Sequence, residues 1–203
     1  MARAALKSND SSKDAIALLK SDHRQVEHLF ERFEEGDDDE LDSLAERVCQ
    51  FLTIHAQIEE EILYPAAKQA FEEDEEDMDL VNEALVEHGS AKELIAKIEA
   101  MTSADESFKA TVKVLSEYIN HHVKEEEKEL FPKLKQTELD LQELGTQLGD
   151  RKLLLMEEMG VDAEEQPLAR GRSKQQGSPR RAGASGSRRT ASKARTSGRS
   201  ARH

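Results

Sequence analysis

Two short stretches of the sequence each place a histidine four residues before a glutamate. The pairs are His55 with Glu59 and His122 with Glu126. At about 100° per residue, positions i and i+4 lie about 40° apart around a helix axis, so each pair shares one face. Imidazole and carboxylate groups held this close together are suitable ligands for divalent metal ions. Metal binding is therefore the chemistry that these pairs could support.

Two further histidines, His23 and His88, lie within the apolar stripes of two other predicted helices. A carboxylate buried without a partner is costly, and a bound cation can supply that partner. The predicted ligands are four imidazoles and two carboxylates: His23, His55, Glu59, His88, His122 and Glu126. Such a mixed set suits iron or manganese, and its carboxylates can bridge two ions. Copper(I) and structural zinc are disfavoured because soft ligands are absent.

The elements that must position these ligands are helices. Apolar residues recur with helical spacing over most of residues 1–160, which predicts an all-α chain. Four long helices are expected at about 12–35, 39–71, 77–101 and 104–135, and a less regular fifth at 138–159, interrupted by Gly145 and Gly149. Short connections between long helices favour an up-down antiparallel four-helix bundle. The predicted organisation is a disordered N-terminus (1–11), the bundle (12–135), an accessory helix (136–160) and a disordered basic tail (161–203).

An internal repeat relates the two halves of the predicted bundle. Residues 55–65 (HAQIEEEILYP) and 122–132 (HVKEEEKELFP) align without gaps, at a separation of 67 residues. A histidine, two glutamates, a leucine, an aromatic residue and a proline recur at the same offsets. The repeat predicts two related helix pairs that face each other across a pseudo-two-fold axis.

The chain resembles a hemerythrin-like, or HHE cation-binding, domain. The matching residues are Asp22-His23, His55-xxx-Glu59-Glu60 before Leu63-Tyr64-Pro65, Glu87-His88, and His122-xxx-Glu126-Glu127 before Leu130-Phe131-Pro132. The resemblance covers about residues 12–135 and implies a four-helix bundle that holds a non-haem di-iron centre. It further implies that the four histidines are terminal ligands and that Glu59 and Glu126 bridge the irons. O2 or a related small oxidant is then expected to bind at an open iron position.

The sequence departs from the respiratory hemerythrins near His88. Those proteins have a His-xxx-His pair in the third helix, whereas the residues four positions away from His88 are Ala84 and Lys92. The position of the missing histidine is then vacant, filled by water, or taken by another group. Tyr118 is the candidate, since it precedes His122 by one turn on the same face. The departure argues against simple reversible O2 carriage and favours reaction with peroxide, NO or O2, or weaker and switchable metal loading.

The net charge of −14 conceals two segments of opposite charge. Residues 1–165 carry 43 acidic and 18 basic side chains, a net charge of −25, whereas residues 166–203 carry 11 basic and no acidic ones. The basic segment has too few apolar residues for a core, which predicts disorder. It could contact nucleic acid or another polyanion without sequence specificity. Two alternatives stay open: the tail folds back on the acidic body, or it is a solvated extension without a partner.

The composition also excludes several classes of protein. No apolar run approaches the ~20 residues of a membrane-spanning helix, and the first 20 residues lack the apolar core of a secretory signal. Cys49 is the only cysteine, so a disulfide framework is excluded and a cytoplasmic protein is expected. The predicted function is to bind or react with O2, peroxide or NO through a di-iron centre. The alternatives are an iron or oxygen sensor without turnover, whose tail carries the output, and a purely structural bundle.

Overall fold

The computed structural model describes residues 14–161, and all regular structure in this range is helical. Two π-helical segments, Glu59–Leu63 and Glu126–Leu130, each continue one α-helix directly into the next. The seven α-helices are α1 (Ala15–Glu35), α2 (Leu41–Ile58), α3 (Tyr64–Ala70), α4 (Glu75–Glu99), α5 (Phe108–Glu125), α6 (Phe131–Leu134) and α7 (Leu141–Met159). The segments predicted to be disordered, 1–11 and 161–203, lie outside the described residues except for Val161.

These helices confirm the predicted all-α, up-down four-helix bundle with an additional C-terminal helix. The four rods are α1, α2 with α3, α4, and α5 with α6. Helix α1 packs against α2, and α4 packs against α5. Helix α7 packs across α1, α2 and the first π-helical segment. One pair of rods therefore carries an extra helix on its outer side.

Two apolar clusters fill the bundle and leave a polar layer between them. In α1, the first cluster contains Leu19 and the second begins at Val26. In α4, the first cluster ends at Ala84 and the second begins at Ala91. The predicted ligands of these two helices fall in the gaps, so the apolar packing holds the polar layer in place from both sides.

Each π-helical segment begins at a predicted ligand, Glu59 or Glu126. The backbone N–H of Tyr64 donates to the carbonyl of Glu59, and that of Phe131 donates to the carbonyl of Glu126, so both bonds span five residues instead of four. A proline follows each aromatic residue, and proline has no N–H with which to continue a four-residue pattern. The repeated sequence therefore produces the same local irregularity in both halves, next to the polar layer.

Helix α7 is continuous, although the sequence predicted interruptions at Gly145 and Gly149. Both glycines are buried in the packed face of the helix. The Asp140 side chain caps the start of α7, and Gly160 ends it with a left-handed φ of 68°, which glycine adopts without steric cost. None of the helices within residues 14–161 has the length and apolar character needed to cross a membrane.

Candidate metal centre

The structure brings the six residues predicted from the sequence together in the polar layer. Each is at most 6% exposed: His23, His55, Glu59, His88, His122 and Glu126. The histidines come from α1, α2, α4 and α5, and the glutamates come from the starts of the two π-helical segments. All four rods of the bundle therefore contribute to one site.

Each glutamate lies between a histidine of one half and a histidine of the other. Glu59 Oε2 is 3.3 Å from His55 Nε2 and 3.5 Å from His88 Nε2. Glu126 Oε2 is 3.3 Å from His23 Nε2 and 3.6 Å from His122 Nε2. The two carboxylates are therefore shared between the halves, as carboxylates that bridge two ions would be.

Carboxylates outside the layer hold the imidazole rings in one orientation. Nδ1 of His23 lies 3.0 Å from Glu127, and Nδ1 of His88 lies 3.0 Å from Glu60. In the same way, Nδ1 of His122 lies 2.7 Å from Glu87, whereas Nδ1 of His55 faces Asp22 at 3.7 Å, beyond hydrogen-bond distance. A carboxylate that accepts a hydrogen bond from Nδ1–H keeps the proton on Nδ1 and leaves the lone pair on Nε2. All four Nε2 atoms therefore point inward as potential metal ligands.

Several of these inward-facing atoms have no hydrogen-bond partner in the part of the chain that the structure describes. They are His23 Nε2, His55 Nε2, both carboxylate oxygens of Glu59, and Glu126 Oε2. A buried polar atom left without a partner costs about 1–3 kcal/mol, and more when it carries charge. The ligand atoms of the six residues form two groups, and within each group the atoms lie within 4.8 Å of one another. The groups are His23/His55/Glu59/Glu126 and Glu59/His88/His122. The donor set thus fits bound cations, which would satisfy these atoms together.

Burial and neighbouring charges shift the protonation of the centre. Burial lowers the pKa of His55, and burial together with His122 lowers the pKa of His88 to about 4. Burial and the nearby Glu126 raise the pKa of Glu59 well above its usual value. Burial acts in the same direction on Glu126, but His122 and His23 outweigh it and lower the pKa of Glu126. A metal ion held here would compete with protons for these ligands, so its loading would depend on pH.

A tyrosine that the sequence reasoning missed lies at the centre. The Tyr64 hydroxyl donates to Glu126 Oε1 at 2.9 Å and lies 3.2 Å from His88 Nε2. Tyr118, the candidate from the sequence, is instead half-buried and packs against the second apolar cluster. Phe131 occupies the position equivalent to Tyr64 in the other half and stacks on His23, with ring centroids 5.8 Å apart. At this position the two halves of the site therefore differ by one hydroxyl.

An apolar cavity of about 20 Å³ adjoins the four histidines. Its other lining residues include Val26, Leu52, Ala91, Ile95 and Ile119. A cavity of this size has room for about one water-sized molecule, and an apolar wall of this kind does not retain water strongly. The centre therefore has space for one small, weakly polar molecule beside the imidazoles.

Comparisons with known proteins agree with this geometry. The family described as Hemerythrin HHE cation binding domain matches residues 14–134. A curated relative, described as a DNA nickase from Nostoc sp. strain PCC 7120, is 29% identical over 115 residues, which are 56% of this chain and 31% of that protein. The chain thus spans under a third of the length of that relative.

A solved structure has the same fold. It is the crystal structure of a hemerythrin HHE cation-binding domain-containing protein from Mycobacterium kansasii, with a TM-score of 0.63 and 21% identity. The match covers 77% of this chain and 96% of that one. The family match spans more than half of the chain and includes all six predicted ligands. The chain belongs to the hemerythrin HHE cation-binding domain family.

Proposed function

We propose that this chain is a cytoplasmic protein that holds two non-haem iron ions and through them binds or reacts with O2, peroxide or NO. Iron supplies redox chemistry and open coordination positions for such small ligands when it is bound; manganese is the alternative metal. The observation that carries the proposal is the set of inward-facing Nε2 and carboxylate atoms that have no hydrogen-bond partner among residues 14–161. These atoms require cations, and iron suits their mixture of nitrogen and oxygen.

In this proposal each residue of the centre has a defined role. His23 and His55 are ligands on one side, His88 and His122 are ligands on the other, and Glu59 and Glu126 are shared between the two. The support for sharing is that each glutamate oxygen lies within 3.6 Å of one histidine from each half. The carboxylates that accept from Nδ1 orient the rings and increase their strength as ligands.

Other residues control what reaches the centre. Leu52 and Ile119 line the apolar cavity beside the histidines and keep bulk water away from it. The Tyr64 hydroxyl fixes Glu126 Oε1 and is placed to hold a proton beside His88. The side of the centre that lacks a fifth histidine therefore has a protein hydroxyl close by. This arrangement favours reaction with a small oxidant over simple carriage.

Anaerobic loading of the full chain with Fe²⁺ tests the proposal. We expect about two iron atoms per chain and near-ultraviolet absorption bands that change on exposure to O2, hydrogen peroxide or NO. His23→Gln is expected to lower the iron content. His28→Gln on the same helix is the matched control, because the His28 side chain is 48% exposed and pairs with Glu31 at the surface. Iron content far below two refutes the metal site. Full loading without any spectral response refutes the reactive role.

A second candidate is an iron or oxygen sensor without turnover, in which the basic tail contacts nucleic acid. The relative described as a DNA nickase favours this candidate, as does the concentration of 11 basic and no acidic residues in 166–203. Removing residues 166–203 should then abolish binding to a labelled DNA duplex at low salt. If the chain is instead the reactive protein proposed above, the same truncation should leave its peroxide consumption unchanged. If the truncated chain binds the duplex as well as the full chain does, the tail has no such role.

A further inference from the structure

Helix α7 lies beyond the matched family region, yet it places a lysine next to the metal centre. Lys152 is only 4% exposed, and its Nζ lies 2.6 Å from Oδ1 of Asp22. Asp22 directly precedes His23, and its other oxygen, Oδ2, lies 3.7 Å from Nδ1 of His55. The Lys152 ammonium also lies 5.8 Å from the ring centre of Phe51. A buried positive charge is thus paired with the carboxylate that faces a predicted ligand.

The other half of the centre has the same carboxylate without the lysine. Glu87 directly precedes His88, and its Oε2 lies 2.7 Å from Nδ1 of His122. Within residues 14–161, Glu87 has no lysine or arginine partner; its other contact with a basic side chain is the exposed His121, at 4.0 Å. In the first half, the corresponding distance from Asp22 Oδ2 to His55 Nδ1 is 3.7 Å, which is 1.0 Å longer than the 2.7 Å of the second half. The two halves therefore have corresponding carboxylates, Asp22 and Glu87, in unequal electrostatic environments.

The two remaining carboxylates do not reproduce this difference. Glu127, beside His23, pairs with Lys20 and Arg24, which are 40% and 57% exposed. Glu60, beside His88, pairs with Lys92, which is 51% exposed. Water screens such pairs in both halves alike. The Asp22–Lys152 pair is different because both side chains are at most 5% exposed. The charge of Lys152 therefore acts on the centre with little screening by water.

We infer that Lys152 makes the two metal positions unequal, so that the His88/His122 position fills first and the His23/His55 position is the weaker one. This inference rests on the proposed function, since it requires two bound ions. A carboxylate against Nδ1 strengthens an imidazole as a ligand and attracts a cation. Lys152 draws Asp22 away from His55 and neutralises its charge, whereas Glu87 stays bonded to His122. Lys152 is thus a positioning residue that acts through Asp22.

The neighbour of Lys152 provides a matched control. Arg151 binds Glu61 through two contacts, of 2.6 Å and 3.1 Å, and so also attaches α7 to the bundle. Glu61 is not among the residues of the centre, and its side chain is 40% exposed. Arg151→Met therefore removes an attachment of α7 without changing the charge beside the ligands. If Lys152 served only to dock α7, Lys152→Met and Arg151→Met would have the same effect on metal binding.

Titration of the full-length apoprotein with Fe²⁺ under anaerobic conditions, against a competing chelator, tests the inference. We expect wild type to bind two ions in two distinct steps. Lys152→Met should tighten the weaker step about tenfold and leave the stronger step unchanged, because Asp22 is freed to act on His55. Lys152→Arg, which keeps the positive charge, should resemble wild type, as should Arg151→Met. Circular dichroism of each apoprotein establishes that it is folded.

The order in which the two metal positions fill can also be measured in variants that retain Lys152. His55→Gln should remove the weaker step, and His122→Gln should remove the stronger one. Fewer than two ions in wild type would refute the proposed function together with the inference. Two ions combined with equal steps, the opposite order in the histidine variants, an unchanged weaker step in Lys152→Met, or the same change in Arg151→Met would overturn the inference alone.

Discussion

Replacing Glu59 by glutamine tests whether one carboxylate serves both halves of the centre. The side chain is fully buried, and neither oxygen has a hydrogen-bond partner among the described residues. Its Oε2 lies 3.3 Å from a histidine of the first half and 3.5 Å from a histidine of the second. Glutamine keeps the shape of the side chain but removes its charge. The variant should therefore lose affinity for both ions, whereas His55→Gln should lose affinity for only one.

The expected magnitude follows from the linkage between binding and folding. An ion present at 100 times its dissociation constant stabilises the folded state by about 2.7 kcal/mol. For a domain of this size, each kcal/mol raises the melting temperature by about 2–4 °C, so two ions give a shift of about 10–20 °C. His55→Gln should keep about half of that shift and Glu59→Gln almost none of it. Without metal, Glu59→Gln should change the stability by no more than about 1 kcal/mol, since no hydrogen bond is lost.

The assay is thermal unfolding followed by circular dichroism, with and without Fe²⁺ under anaerobic conditions, together with the iron content of each variant. Retention of two ions and of the full melting-temperature shift in Glu59→Gln would show that Glu59 is not a ligand. Retention of one ion with half of the shift would show that Glu59 serves a single position. Either result contradicts the inference that the 3.3 Å and 3.5 Å distances mark a shared carboxylate.

Four further outcomes are expected. Tyr64→Phe removes the hydroxyl that donates to Glu126 and should destabilise the apoprotein by about 1–2 kcal/mol in urea unfolding. Leu115→Ala creates a cavity in the core and should cost about 2–5 kcal/mol by the same measurement, whether or not metal is bound. Gly89→Ala should stabilise the chain by about 0.5–1 kcal/mol, because the added methyl group meets no atom within 4 Å and α4 loses a flexible residue. Burial, with Glu99 and Glu46 nearby, raises the pKa of Cys49 to about 12, so its thiol should react with a thiol reagent at pH 8 only after unfolding.

Helical periodicity was sufficient to predict which histidines come together. His55 and His122 each lie four residues before a glutamate, and His23 and His88 interrupt apolar stripes that the structure packs into the core. Polar residues at core positions of several helices have few partners besides one another, so their meeting followed from the pattern. Periodicity alone did not predict how each side chain is rotated about its helix axis, and this rotation decides which aromatic residue reaches the centre.

Tyr64 was missed because the segment directly before it, Glu59–Leu63, is π-helical and not α-helical. Tyr64 lies five residues after Glu59, and in an uninterrupted α-helix this spacing turns a side chain about 140° away. In the π-helical segment, the hydrogen bond from Tyr64 to the carbonyl of Glu59 spans five residues, so positions five apart stand above one another as positions four apart do in an α-helix. The signal was present in the proline that follows Tyr64. Tyr118, chosen by regular periodicity, lies one turn before His122 on α5 and packs against the second apolar cluster.

The internal repeat predicted two related helix pairs across a pseudo-two-fold axis, and the differences between the two halves have two separate sources. Replacement of a tyrosine by a phenylalanine, Tyr64 against Phe131, is visible in the aligned repeat itself. The pairing of Asp22 with Lys152 joins residues 130 positions apart, across a helix that has no counterpart in the repeat. No periodicity rule places a lysine inside, because an unpaired buried ammonium is so unfavourable that only a specific partner permits it. An asymmetry of this kind follows from how α7 docks on α1 and α2, and so it could be recognised only once those helices were seen packed together.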